Sequence, residues 1–166
     1  HYQVAGPFKK KEKDGNIMGK IYYVMGKSAS GKDTIYKRLV KELPEFGTVR
    51  MYTTRPIRDG ETNGVEYIFT DEKQLQTMKD AGKVIECRTY DTIYGPWSYF
   101  TADDGQIDLG SGSYLMMGTL ESYEKLCSYY GAEVMVPLYI HVEDRIRLQR
   151  ALDRENTQKN PKYAEM

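Results

Sequence analysis

The chain has 166 residues, with 24 basic and 24 acidic side chains, 40% apolar and 29% charged residues, and a formal net charge of zero. This is the composition of one ordinary globular domain, and its balanced charge excludes a global pull toward nucleic acid or anionic membrane. No apolar run approaches the roughly 20 residues that cross a bilayer, and Cys87 and Cys127 lie in unrelated segments without metal-ligand spacing, which predicts reduced thiols in a cytoplasmic protein.

Residues 1–17 are polar and carry Lys9, Lys10, Lys11 and Lys13 without periodicity, so they read as a tag, a leader or a flexible arm with a solvated charge run. Residues 21–25, Ile-Tyr-Tyr-Val-Met, have the β-branched and aromatic character of a buried parallel strand. The run Gly26-Lys27-Ser28-Ala29-Ser30-Gly31-Lys32-Asp33-Thr34 follows, and then apolar residues at Ile35, Leu39, Val40 and Leu43 predict a helix ending at Pro44.

Strand, Gly-x-x-x-x-Gly-Lys and helix in that order are the context of a phosphate-binding P-loop. Its glycines let backbone N–H groups approach phosphate oxygens, the helix N-terminus adds partial positive charge, and Lys32 can bridge the β- and γ-phosphates of ATP. The hydroxyl expected straight after the lysine for Mg²⁺ is replaced by Asp33, with Thr34 one place on. Asp33 either complements the helix dipole or acts through Mg²⁺ and its waters, since a bare carboxylate repels phosphate.

Residues 49–53 read as a second strand, and residues 54–64 as a polar loop whose Asn63-Gly64 turns into a strand over 65–69. A short helix is expected over 71–80, a strand over 84–90, and a return beginning at Ile93-Tyr94-Gly95-Pro96. The main sheet resumes over 113–117, followed by a helix near 120–130, a strand over 134–141 that Pro137 confines to an edge or bulge, and a helix from about 142 to 154. Arg55 and Arg58 flank Pro56 on one loop. They can fork onto a second phosphate group, or form a solvated basic loop. Glu86, in an apolar strand, is either paired structurally or placed to bind a ligand.

The run from Thr53 to Phe69 carries Thr-Thr-Arg-x-x-Arg-x-Gly-Glu-x-Asn-Gly-x-x-Tyr-x-Phe, and with Glu86, Tyr94-Gly95 and the glycine-rich loop it resembles the guanylate kinases from Gly19 to about Arg154. The resemblance implies an α/β fold, a three-layer P-loop parallel sheet with an inserted small mixed-β nucleotide-acceptor subdomain and a lid. The core would take residues 18–49 and 101–144, the acceptor subdomain 50–100 and a partial lid 145–166. It implies phosphorylation of GMP to GDP by ATP with Mg²⁺, and neither nucleic acid nor membrane as partner. Residues 26–34 would hold the ATP phosphates, with Asp33 and Thr34 toward Mg²⁺. Arg55, Arg58, Tyr67, Glu86 and Tyr94 would hold GMP, Glu86 reading guanine through N1–H and the 2-amino group, which adenine lacks. Lys32, Arg55 and Arg154 would be catalytic.

Four departures accompany the match. Met51 stands where the family has a serine that helps bind the base, and Pro96 where Tyr-Gly is followed by a hydroxyl. Met116 and Gly118 replace an acidic pair, and the sequence ends inside the lid region, leaving the family's last strand and closing helix without a counterpart. The rival readings are a kinase of this architecture for another nucleotide-like acceptor and a catalytically silent binding module.

Overall fold

The computed structural model describes residues 12–13 and 16–157; most of the expected arm, and residues 158–166 of the expected lid, lie outside the described residues. Two short strands, β1 (Glu12–Lys13) and β2 (Asn16–Ile17), pair antiparallel ahead of the core. The core is organised on β3 (Ile21–Gly26), whose first five residues are all buried. It pairs parallel with β9 (Tyr114–Met117) on one side and with β10 (Met135–Ile140) on the other, and β4 (Gly47–Thr48) lies beyond β9. A strand with parallel neighbours on both sides has both faces covered, which is why its apolar run is continuous.

Successive side chains of β3 point to opposite faces. The Tyr23 ring meets Tyr123 of α3 (Leu120–Tyr130) at 5.6 Å between centroids, and the Tyr22 ring meets Phe46, just after α1 (Lys32–Glu42), at 5.3 Å. Helical layers therefore sandwich the parallel sheet. Pro137 lies opposite Tyr23 on β10, an edge strand among the described residues, where its missing N–H costs no ladder bond.

A second sheet has the order β6 (Ile68–Phe69), β5 (Tyr52–Thr53), β8 (Gly95–Ala102), β7 (Val84–Thr92). β5 and β6 are parallel and the other pairs antiparallel. The hairpin between β7 and β8 turns on Ile93 and Tyr94, and Gly95 closes it at φ 101°, a conformation that a side chain would strain. Over this sheet, α2 (Glu72–Asp80) buries Leu75 and Met78 against Phe100 and Ala102, its first turn capped by Asp71, which accepts from the Gln74 N–H at 2.7 Å.

Several elements differ from the sequence reading, among them β7, which runs to Thr92 where a strand over 84–90 is expected. Of the strand expected over 49–53 only Tyr52–Thr53 forms, in the second sheet; the Val49 N–H donates to the Leu115 carbonyl of the first sheet at 3.3 Å, and the side-chain amide of Gln106 takes both backbone groups of Arg50, at 2.9 and 3.1 Å. The strand expected over 65–69 is only Ile68–Phe69; Val65 instead donates to the Thr62 carbonyl in a turn. The last described helix, α4, is Asp144–Asn156, two residues later at each end than expected.

Candidate functional site

At the end of β3 the chain makes a close passage. A Cβ on Gly26 would stand 2.8 Å from both the Ile140 carbonyl oxygen and Ser30 Oγ, so no other residue fits this backbone. Ala29 at φ 58° and Gly31 at φ 86° carry the loop through the left-handed region into α1, where the Ile35 N–H donates to Gly31 at 3.0 Å. The Ser30 hydroxyl is buried without a hydrogen-bond partner among the described residues, a polar atom held ready inside the loop. Two arginines of α4 grip the loop from outside: Arg147 Nη1 donates to the Ser28 carbonyl at 2.9 Å and Arg150 Nη1 to that of Ser30 at 3.5 Å.

Lys32 Nζ lies 2.8 Å from Asp33 Oδ1, and Lys27 Nζ lies 3.5 Å from Asp144, itself clasped by Arg147 at 2.6 Å. That clasp, with Lys27 behind it, holds the Asp144 carboxyl below its ordinary range. Thr34 is exposed in the first turn of α1. Among the described residues no three His, Cys, Asp or Glu side chains converge as a metal cluster. Mg²⁺ in phosphoryl-transfer sites takes only one or two protein ligands, phosphate and water supplying the rest, so an exposed Asp33 beside Thr34 suits it.

Lys32 and Asp33 form one end of a cleft of about 370 Å³, with Met117, Gly118 and Thr119 at the end of β9 alongside them. Its opposite wall comes from the second sheet and its loops: Met51, Tyr67, Arg88, Tyr90, Trp97 and Tyr99. Burial raises the Tyr67 hydroxyl above the ordinary phenol range, so it stays protonated and able to donate.

Arg55 is 3% exposed and held bidentately by Glu61, at 2.8 and 3.0 Å, with its guanidinium carbon 5.6 Å from the Tyr67 ring centre and 5.4 Å from that of Phe69. Those bonds, with the Arg58 N–H at 2.8 Å, hold the Glu61 carboxyl down at about 2. Arg58 itself is exposed. Tyr94 is on the hairpin tip, 77% exposed and stacked on Trp97, and does not line the cleft.

Glu86 is buried behind the wall. Its carboxylate accepts from Thr101 Oγ1 at 2.8 Å, Ser122 Oγ at 3.0 Å and Arg88 Nε at 3.3 Å. The positions aligned with the missing acidic pair have been absorbed structurally. Met116 packs in the main core, and a Cβ on Gly118 would stand 2.1 Å from the Tyr23 hydroxyl, which donates to the Thr119 carbonyl at 3.2 Å. Arg154 pairs with its neighbour Glu155 at 3.7 Å. Arg147 and Arg150, one to two turns earlier, are the α4 arginines that touch the loop, and only their helical spacing signalled them in the sequence.

Fold and cleft together define the class of this chain: an α/β protein with a parallel sheet, a glycine-rich strand–loop–helix and a second mixed sheet facing that loop. Residues 18–98 match the family model described as guanylate kinase. The chain is similar to the guanylate kinase of Legionella pneumophila (strain Lens), 37% identical over 78 residues, covering 46% of this chain and 37% of that protein. It is likewise similar to the guanylate kinase of Coxiella burnetii, 37% identical over 76 residues, covering 45% of this chain and 37% of the relative. A crystal structure of guanylate kinase from Anaplasma phagocytophilum shares the fold, with a TM-score of 0.61 at 22% identity over 82% of this chain and 68% of that one. Across residues 18–98 the chain is thus similar to the guanylate kinase family. The matched segment spans a little over a third of the length of these curated relatives.

Proposed function

We propose that the chain transfers the γ-phosphoryl group of ATP to a purine nucleoside monophosphate, GMP in the first instance, as its named relatives would. The observation that supports this reading is the cleft itself, lined by Lys32 of the glycine-rich loop and by Tyr67, against whose ring the buried Arg55 is held without itself lining the cleft. The loop would be a P-loop. Its N–H groups and the α1 N-terminus would receive the ATP phosphates, with Lys32 leaving Asp33 for the β- and γ-oxygens. Arg147 and Arg150 would keep the loop in shape and neutralise charge that builds on it.

Arg55 and Arg58, with the Tyr67 hydroxyl, would hold the acceptor phosphate, Glu61 keeping the Arg55 fork in place. An acceptor phosphate oxygen is already nucleophilic, so no general base is required, and the work is alignment and charge neutralisation. Asp33 and Thr34 would hold Mg²⁺, which when bound neutralises the β- and γ-phosphates. Residues 50–100 would be the acceptor subdomain and residues from 145 onward the start of a lid that excludes water. No described helix is long and apolar enough to cross a membrane, and a cytoplasmic setting with ATP and GMP as partners follows from this reading.

The test is ADP release in a coupled assay with ATP, Mg²⁺ and each nucleoside monophosphate in turn. GMP-dependent turnover that Lys32→Ala abolishes is the expected result. Binding of nucleotide without any turnover would favour a silent module. One observation favours a second reading, a kinase for another acceptor: Arg88 lies across Glu86, the residue the family resemblance would have read guanine.

A further inference from the structure

The cleft wall presents Arg88, and Glu86 lies behind it. The Glu86 side chain has no exposed surface, and Thr101, Ser122 and Arg88 already occupy its carboxylate. Arg88 is 9% exposed and fixed on two sides: Nε on Glu86, and Nη1 on Thr119 Oγ1 at 3.1 Å. Its Nη2 has Met51 Sδ at 3.7 Å, a thioether and therefore a weak acceptor. These contacts engage one N–H on each nitrogen, three of the five a guanidinium carries, and the poorest of them belongs to a residue that also lines the cleft.

The surface offered to the acceptor is thus a pre-oriented donor edge between aromatic walls. Such an edge cannot accept from guanine's N1–H and 2-amino group. It matches two acceptors side by side, and O6 and N7 of a 6-oxopurine are that pair. Adenine presents N7 beside an N6–H₂ donor, so one of the two positions would set donor against donor.

Accepting the monophosphate-kinase reading above, on which this step rests, we infer that Arg88 reads the acceptor base through its O6/N7 edge, with Glu86 as the positioning residue behind it. The acceptor class is 6-oxopurine nucleoside monophosphates, guanine and hypoxanthine alike, because the Glu86 carboxylate that would have read position 2 is taken up by Thr101, Ser122 and Arg88. The Met51 thioether, where a hydroxyl would have competed for Nη2, leaves that group to the ligand.

The test is kcat/KM of the 166-residue chain for GMP, IMP and AMP with ATP and Mg²⁺, alongside Arg88→Met and Glu86→Gln. GMP and IMP should agree within about threefold, and both should exceed AMP by about ten- to hundredfold. Arg88→Met should erase the advantage over AMP without changing KM for ATP. Glu86→Gln, which keeps the shape of the side chain, should raise KM for GMP and IMP by one common factor with kcat unchanged. A tenfold or greater preference for GMP over IMP, or a loss in Glu86→Gln confined to GMP, would overturn the inference and return base reading to the carboxylate. Should no monophosphate be phosphorylated, the kinase reading fails by itself. Calorimetric affinities of the wild-type chain for the same three nucleotides then still decide the role of Arg88, equal GMP and IMP above AMP supporting it and any other order refuting it.

Discussion

Truncating Glu86 to alanine removes the centre of a buried polar network that joins the second sheet to α3. Three contacts are lost at once, from Thr101 at 2.8 Å, Ser122 at 3.0 Å and Arg88 at 3.3 Å, and the guanidinium is left 9% exposed without its carboxylate. Breaking a buried pair from one side costs about 3–5 kcal/mol, chiefly because the remaining charge stays desolvated. In a domain of this size that is a fall in Tm of roughly 10 °C, at about 2–4 °C per kcal/mol. Arg88→Ala should cost less, since Thr101 and Ser122 still hold the carboxylate. The double variant should be less destabilised than the sum of the singles, by a coupling of about 1–3 kcal/mol. Urea unfolding of the four proteins, read by far-ultraviolet circular dichroism, measures the cycle. Additive effects within about 0.5 kcal/mol, or a Glu86→Ala cost below about 1 kcal/mol, would refute the view that the pair is a buried, mutually satisfied unit.

Lys32→Ala should abolish phosphoryl transfer with Tm unchanged, because Gly26 and Gly31 set the loop's path; turnover within a few-fold of wild type would remove Lys32 from the chemistry. Arg55→Ala should weaken the acceptor about ten- to hundredfold and ATP little, the loss of a charge-assisted bond set being worth about 1.5–3 kcal/mol, and a defect confined to ATP would refute the acceptor assignment. The Glu61 carboxyl sits at about 2 in the fold against an ordinary 4.5. Its contribution to stability is therefore complete above pH 4.5 and lost as pH falls toward 2, and Glu61→Gln should flatten the stability profile across that window while leaving neutral-pH behaviour sloped as before. Gly118→Ala should destabilise by about 1–3 kcal/mol because its Cβ would meet the Tyr23 hydroxyl at 2.1 Å. Tyr23→Phe should recover part of that loss, and equal Tm values with and without the hydroxyl would show that the two positions do not clash.

The sequence by itself determined the pieces whose physics is local. The continuous apolar run of β3, the glycines that must pass close to Ile140 and turn through positive φ, the Asp71 cap and the run of α3 from Leu120 to Tyr130 all follow from neighbours along the chain. That Pro137 sits at an edge or a bulge was legible for the same reason, since a proline in a strand constrains its own ladder, and β10 is an edge strand among the described residues. Where long-range partners compete for a group, local pattern was silent. Residues 49–53 form an unbroken strand-like run, yet Gln106, more than fifty residues away, captures the Arg50 backbone, and only Tyr52–Thr53 joins a sheet. Tyr94 carries a family motif but points from an exposed turn, while Arg88, two residues from Glu86 and unremarked in the chain, takes the cleft wall. Arg147 and Arg150 reach the loop because α4 packs beside it, a placement that helical spacing allows without requiring. Only tertiary structure could set which of two neighbouring charges meets a ligand. A carboxylate with three protein donors is buried as a support, and the guanidinium it orients is what remains facing the cleft.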